Sequence, residues 1–202
     1  AARLDMIEHA DDRLKEAAGA LNAAQADYAR AAKALNARRT KAGVALAKAV
    51  EAELAPLKMD KARFRVRVDA DEGKPGASGW DKIAFEVATN PGAPFGPLDK
   101  IASGGELSRF ALALKVCLVG EDARTMVFDE VDQGVGGAVA DAVGSRLKRL
   151  AETGQALVVT HSPQVAARAS THYSIEKAEQ SDGMRTSVRL LADADRREEI
   201  AR

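Results

Sequence analysis

Three short stretches carry side chains that could do chemistry together. In "SGGELSR", Ser103, Gly104 and Gly105 precede an apolar helical pattern, with Glu106 and Arg109 in its first turn. In "TMVFDEVD", an apolar run ends in Asp129 and Glu130, and Asp132 stands two residues later. In "LVVTHSP", another apolar run ends in His161. N–H groups at a helix start lack intrahelical partners and carry the positive end of the macrodipole. Adjacent glycines leave them bare, so a phosphate can come close. Carboxylates at the C-terminal end of a buried strand face the crevice where α/β sheets bind ligands. There Asp129 can help hold Mg²⁺, which takes oxygen ligands and keeps several waters. Glu130 can orient or deprotonate an attacking water. His161, on the same sheet edge, can sense a γ-phosphate or position that water.

Plainer readings stay open at each stretch. Ser103 with Glu106 three residues on is a capping box, which needs no ligand. An Asp-Glu pair can simply mark a strand end reaching solvent, and a lone histidine is commonly structural. Two other chemistries, metal binding by His161 and a Ser-His-Asp triad, are unattractive. No second ligand stands at zinc spacing from His161, and no nucleophile elbow supports a Ser-His-Asp triad. Ser162 reads as the cap of the helix after it.

The elements that position these residues alternate from residue 100 onward. A helix is expected over 104–119, a strand over 125–129, a helix over 138–151 and a strand over 156–161. A short helix starts at Ser162 with Pro163 in its first position. "HYSIEK" and "TSVRLL" form a closing hairpin. Strands this uniformly apolar imply a buried, parallel sheet covered by helices, an α/β arrangement.

Upstream, residues 3–55 hold no proline and have glycine only at 19 and 43. Ile7, Leu14, Leu21, Tyr28 and Leu35 recur every seven residues, with Ala10, Ala17, Ala24 and Ala31 three places after the first four. This is a coiled-coil seam on a helix that Pro56 ends. Arg30, Lys33, Arg38, Lys41 and Lys48 share one broad face of that helix, and Arg39 lies off it. Such a face is either merely solvated or a phosphate-contacting stripe. "ARFRVRVDA" (62–70) and "KIAFEVATN" (82–90) alternate as paired strands, with Trp80 packing beside the second. "NPGAPFGP" (90–97) has the composition of a linker.

The 202 residues carry no formal net charge, so any nucleic-acid signal must be local. The single cysteine, Cys117, lies in an apolar helical run and fits a buried, inert thiol in a reducing compartment. No run approaches the ~20 apolar residues that cross a bilayer, and no charged-then-apolar leader opens the chain. The expected setting is cytoplasmic. Helical patterning runs from the first residues without a cap and is still running at the last, so a segment of a longer chain is expected.

Taken in order, "SGGELSR", "TMVFDEVDQGVGG" and "VVTHSPQVA" resemble the signature motif, the Walker B motif with its D-loop, and the H-loop of ABC-type ATPases. With the preceding heptads they resemble the C-terminal half of an SMC-like head. More narrowly, "TNPG", "PLDKIASGGELSR", "FDEVDQGVGG" and "THSPQVAA" are similar to the RecN family of bacterial DNA repair proteins. The resemblance implies a coiled-coil arm over 1–56 and a head lobe over 57–202. It implies that Ser103, Gly104 and Gly105 contact the γ-phosphate of ATP held by an opposing head, supported by Glu106 and Arg109. It gives Asp129 to Mg²⁺, Glu130 to the water, Asp132 to communication across a dimer and His161 to the γ-phosphate. The implied partners are an N-terminal Walker A lobe, a second protomer and DNA, at the nucleoid, with no membrane. No G-x-x-x-x-G-K-S/T occurs in the chain, so the P-loop half of the P-loop NTPase fold is missing. Little hydrolysis is expected from this chain by itself. A transporter's nucleotide-binding subunit and a non-catalytic coiled-coil dimerisation module are the alternatives.

Overall fold

The structure is a computed structural model, and it describes residues 2–98, 104–118, 125–129, 131–180 and 183–201. Two compact units are present: Ala1–Ala47 with Arg65–Phe85, and Lys48–Phe64 with Glu86–Arg202. Helix α1 runs unbroken over Ala2–Leu54. A 3₁₀ turn (Ala55–Leu57) comes next, with Pro56 in its first turn, and Lys58 leaves it in the left-handed region at φ 55°. Proline lacks the N–H that the next helical bond needs, which is why α1 stops here.

In the first unit, residues 9–27 of α1 are exposed on every side, including the seam residues Leu14 and Leu21. From Tyr28 onward the helix packs on its own chain. The Tyr28 hydroxyl donates to the Gly76 carbonyl (3.0 Å) and accepts from the Gly76 N–H (2.9 Å). Its ring meets Trp80 edge-on at 5.9 Å. Asn36 and Arg39 both donate to the Asp81 carboxylate, at 2.8 and 2.9 Å. Gly43 lets α1 approach Val66, since a Cβ there would lie 3.0 Å from that side chain. Arg39 is therefore committed to Asp81, and Arg30 pairs with Asp27. Lys33, Arg38 and Lys41 stay exposed.

Strands β1 (Arg63–Ala70), β2 (Asp81–Ala88) and β3 (Gly96–Pro97) form a sheet in that order. β1 alternates as expected, with Phe64 buried and Arg63, Arg65 and Arg67 exposed. β3 lies inside the stretch read as linker and pairs antiparallel with β2, Glu86 opposite Pro97 and Val87 opposite Gly96. Two residues have no periodicity to detect; the partner strand defines them.

The second unit holds α2 (Gly104–Leu118), β4 (Thr125–Asp129), α3 (Gly137–Leu150), β5 (Gln155–Val159) and α4 (Pro163–Ala167). β6 (Tyr173–Gln180), β7 (Gly183–Leu190) and α5 (Asp193–Ala201) complete it. β4 and β5 are parallel, in register from Thr125 opposite Gln155 to Asp129 opposite Val159. β6 and β7 form the closing antiparallel hairpin. α3 buries Val139, Ala140, Val143, Leu147 and Leu150, one face of a 3.6-residue period. Phe110 of α2 is fully enclosed and its ring lies 5.6 Å from that of Phe64. Glu53, in the last turn of α1, pairs with Arg146 (2.9 Å) and Arg149 (2.5 Å) of α3. Arg196 of α5 donates to the carbonyls of Ala166, Ala167 and Ala169, which closes the C-terminal end of α4. The other face of the β4–β5 pair is bare: Val127, Leu157 and Val159 are about half exposed or more. No described helix is long and apolar enough to cross a membrane.

Candidate functional site

The parallel register decides where the chemistry falls. Because Asp129 stands opposite Val159, β4 and β5 end together, and the segments leaving the two strands emerge at one edge. Asp129 is exposed at that edge. Residues 131–134 turn directly after β4, and His161 lies two residues beyond β5, exposed. Glu130 and Ser103 lie outside the described residues, so the capping box is not placed.

The turn after β4 is packed against α2. A Cβ on Gly105 would fall 2.8 Å from the Gln133 carbonyl oxygen, and one on Gly104 would meet the Gln133 side chain at 3.9 Å. Glycine at 105 is thus favoured by the packing itself, independently of any ligand. Glu106 and Arg109 are half-buried in the same first turns of α2. The Arg109 Nε is enclosed with no hydrogen-bond partner among the described residues. Two features are therefore joined at this corner: the start of α2 and the segment after Asp129.

Asp132 is completely buried. One carboxylate oxygen accepts a hydrogen bond from the Thr160 hydroxyl, and the other has no hydrogen-bond partner among the described residues. Thr160 also accepts from the Ser162 N–H at 2.9 Å. Ser162 does occupy the N-cap position of α4, but its hydroxyl turns to the Gln164 side chain at 2.9 Å rather than to a helix N–H. Thr160 was missed by sequence reasoning. Its signal is only a hydroxyl beside His161, and its partner is twenty-eight positions away.

Elsewhere, Cys117 is half-buried, and burial followed by the nearby Glu53 carboxylate pushes its thiol above the ordinary value. That suits an inert packing residue. Among the described residues no group of three or more His, Cys, Asp or Glu is poised to hold a metal.

No family model matches the chain. Curated relatives do. A DNA repair protein RecN of Rickettsia felis is 45% identical over 88% of this chain and 33% of its own length. The RecN of Xylella fastidiosa is 41% identical over 100% of this chain and 37% of its own. That of Halalkalibacterium halodurans is 40% identical over 99% and 36%. This chain is homologous to the C-terminal part of RecN. It spans about a third of the length of these RecN relatives. Among solved structures, the Smc head domain with a coiled coil and joint from Pyrococcus yayanosii matches at TM-score 0.55 and 19% identity. That match covers 77% of this RecN-like chain and 28% of the other. A Pyrococcus furiosus Smc head domain with an extended coiled coil matches at 0.51 and 18%, over 78% and 38%. The fold class is that of these heads, mixed helix and sheet behind a long N-terminal helix.

Proposed function

We propose that this chain is the C-terminal lobe of an ATP-hydrolysing head in a protein of DNA double-strand break repair, with residues 1–56 as its coiled-coil arm. The observation that carries this reading is the shared edge. β4 and β5 end in register, so Asp129 and, two residues past β5, His161 leave at the same edge. The 131–134 turn lies against Gly105 of α2. Such an edge would suit phosphoryl transfer by positioning and charge. The α2 N-terminus, with Ser103, Gly104 and Gly105, would offer its N–H groups to the γ-phosphate of ATP bound on an opposing lobe. Glu130 would hold the attacking water and take its proton. His161 would fix the γ-phosphate or that water.

Asp129 suits Mg²⁺: its carboxylate is exposed at the strand end, and Mg²⁺ needs only one or two protein carboxylates beside water and phosphates. Bound there, the ion would neutralise phosphate charge. The remaining apparatus, a phosphate cradle, would come from an N-terminal lobe. The bare apolar face of β4 and β5 supports such a partner, since a parallel sheet is ordinarily covered on both sides. A second protomer would supply the opposing head. Lys33, Arg38, Lys41 and Lys48 on α1, and Arg63, Arg65 and Arg67 on β1, are the candidates for DNA phosphates; Arg67 also pairs with Asp69 at 3.1 Å. The proposed location is the cytoplasm, at the nucleoid.

The test is Glu130→Gln in the full-length protein carrying both lobes. Turnover should cease while ATP remains bound and the heads stay associated, as read by phosphate release and sedimentation. The present chain, in the same assay, should release no phosphate above background. Ordinary turnover in the variant removes Glu130 from its role, and robust turnover by this chain contradicts the division of labour.

A further inference from the structure

We propose that Thr160 is a positioning residue for ATP hydrolysis, holding His161 in register with the turn after β4. A threonine hydroxyl has one proton to donate and lone pairs to accept with, and here both are committed. It donates to the buried Asp132 carboxylate and accepts from the Ser162 N–H. The second bond closes a loop across His161, from the residue before it to the residue after it, and so restrains the His161 backbone on both sides. The first bond ties that loop to a side chain with no exposure at all. Asp132 is held in turn, since its own carbonyl accepts from Val135 N–H at 3.2 Å. The next residue, Gln133, presses its carbonyl oxygen against Gly105.

A continuous line thus runs from the first turn of α2, through residues 131–134, to His161. His161 itself is exposed at a strand end, so this line is what locates it. Displacement at the α2 N-terminus or in the turn is passed to the imidazole through one hydroxyl. The inference rests on the ATPase reading above and adds to it a residue that touches neither nucleotide nor water.

The experiment is a kinetic double-mutant cycle in the full-length protein. Thr160→Ser keeps donor and acceptor and should hold kcat within about twofold of wild type, since neither hydrogen bond is lost. Thr160→Val has nearly the same shape without either function and should lower kcat about tenfold, with KM for ATP little changed. In a His161→Ala background, itself lowered by about a hundredfold, Thr160→Val should cost nothing further. Thermal unfolding of each variant accompanies the rates. Serine failing as badly as valine, a loss confined to KM, a loss matched by unfolding, or a full additional loss in the His161→Ala background overturns the link. If His161→Ala turns over at the wild-type rate, the role of His161 fails first, so the two failures are told apart.

Discussion

Replacing Gly105 by alanine separates two reasons for a glycine at the start of α2. If the position is bare only so that a phosphate can approach, alanine should stabilise the free protein, because glycine is a poor helix residue. If the fold itself requires glycine, alanine should destabilise it with no nucleotide present. The geometry favours the second. The new Cβ would lie 2.8 Å from the Gln133 carbonyl oxygen, whereas ordinary contact begins at 3.4 Å. A backbone oxygen cannot swing away as a side chain can, so residues 132–134 must retreat by roughly half an ångström. Overpacking of this kind costs about 1–3 kcal/mol. Alanine recovers at most about 1 kcal/mol of helix propensity. The net loss is on the order of 1 kcal/mol, which for a chain of this size lowers Tm by about 2–4 °C. Gly19→Ala is the matched control: nothing lies within 4 Å of its Cβ position, so the same substitution there should raise helix stability. Both are measured by thermal unfolding of the nucleotide-free chain, monitored by circular dichroism. A Gly105→Ala variant as stable as wild type, or more so, refutes the packing argument.

Two further expectations come from buried ion pairs. The Asp81 carboxyl sits below its ordinary value of 3.8, first through the Arg39 hydrogen bond and then through Asn36, with burial opposing. A lowered folded value means the stabilisation is complete above the unfolded value and is lost as pH falls through the folded one. Asp81→Asn should therefore flatten the acid limb of a stability-against-pH curve below about pH 4 and leave its slope at neutral pH unchanged; an unaltered acid limb contradicts the assignment. Glu53→Ala leaves the Arg146 guanidinium, only 12% exposed, without its counter-ion, and should cost about 3 kcal/mol in urea denaturation. Arg149→Ala should cost much less, because that side chain is half exposed; equal losses would rule out burial as the cause.

How far each feature could be read from sequence depends on the range of the interaction behind it. β4 falls at Thr125–Asp129 as read, because an unbroken apolar run bounded by charge has one plausible strand. α1 stops near Pro56 because proline acts on its own neighbours. The two-residue β3 was invisible, since only its partner defines it. Tyr28 was legible as a seam residue, but its hydroxyl binds Gly76, forty-eight positions away, which no heptad pattern can encode. The candidate site divides the same way. Asp129 and His161 were placed by strand ends, which are local. The Thr160–Asp132 bond and the Gly105–Gln133 contact arise only when two strands and a helix come together. Glycine at 105 was singled out for phosphate approach, whereas the close Gln133 carbonyl is a separate reason for a glycine there, one that no local pattern encodes.

The half-exposed strip of Val127, Leu157 and Val159 has a consequence for how the proposed head would assemble. Apolar strands left bare invite self-association and proteolysis until something covers them. The covering surface would settle on the strand that ends in Asp129, one residue from Glu130. Shielding the strip and bringing a phosphate cradle to Asp129 would then be a single event in a chain that carries both lobes.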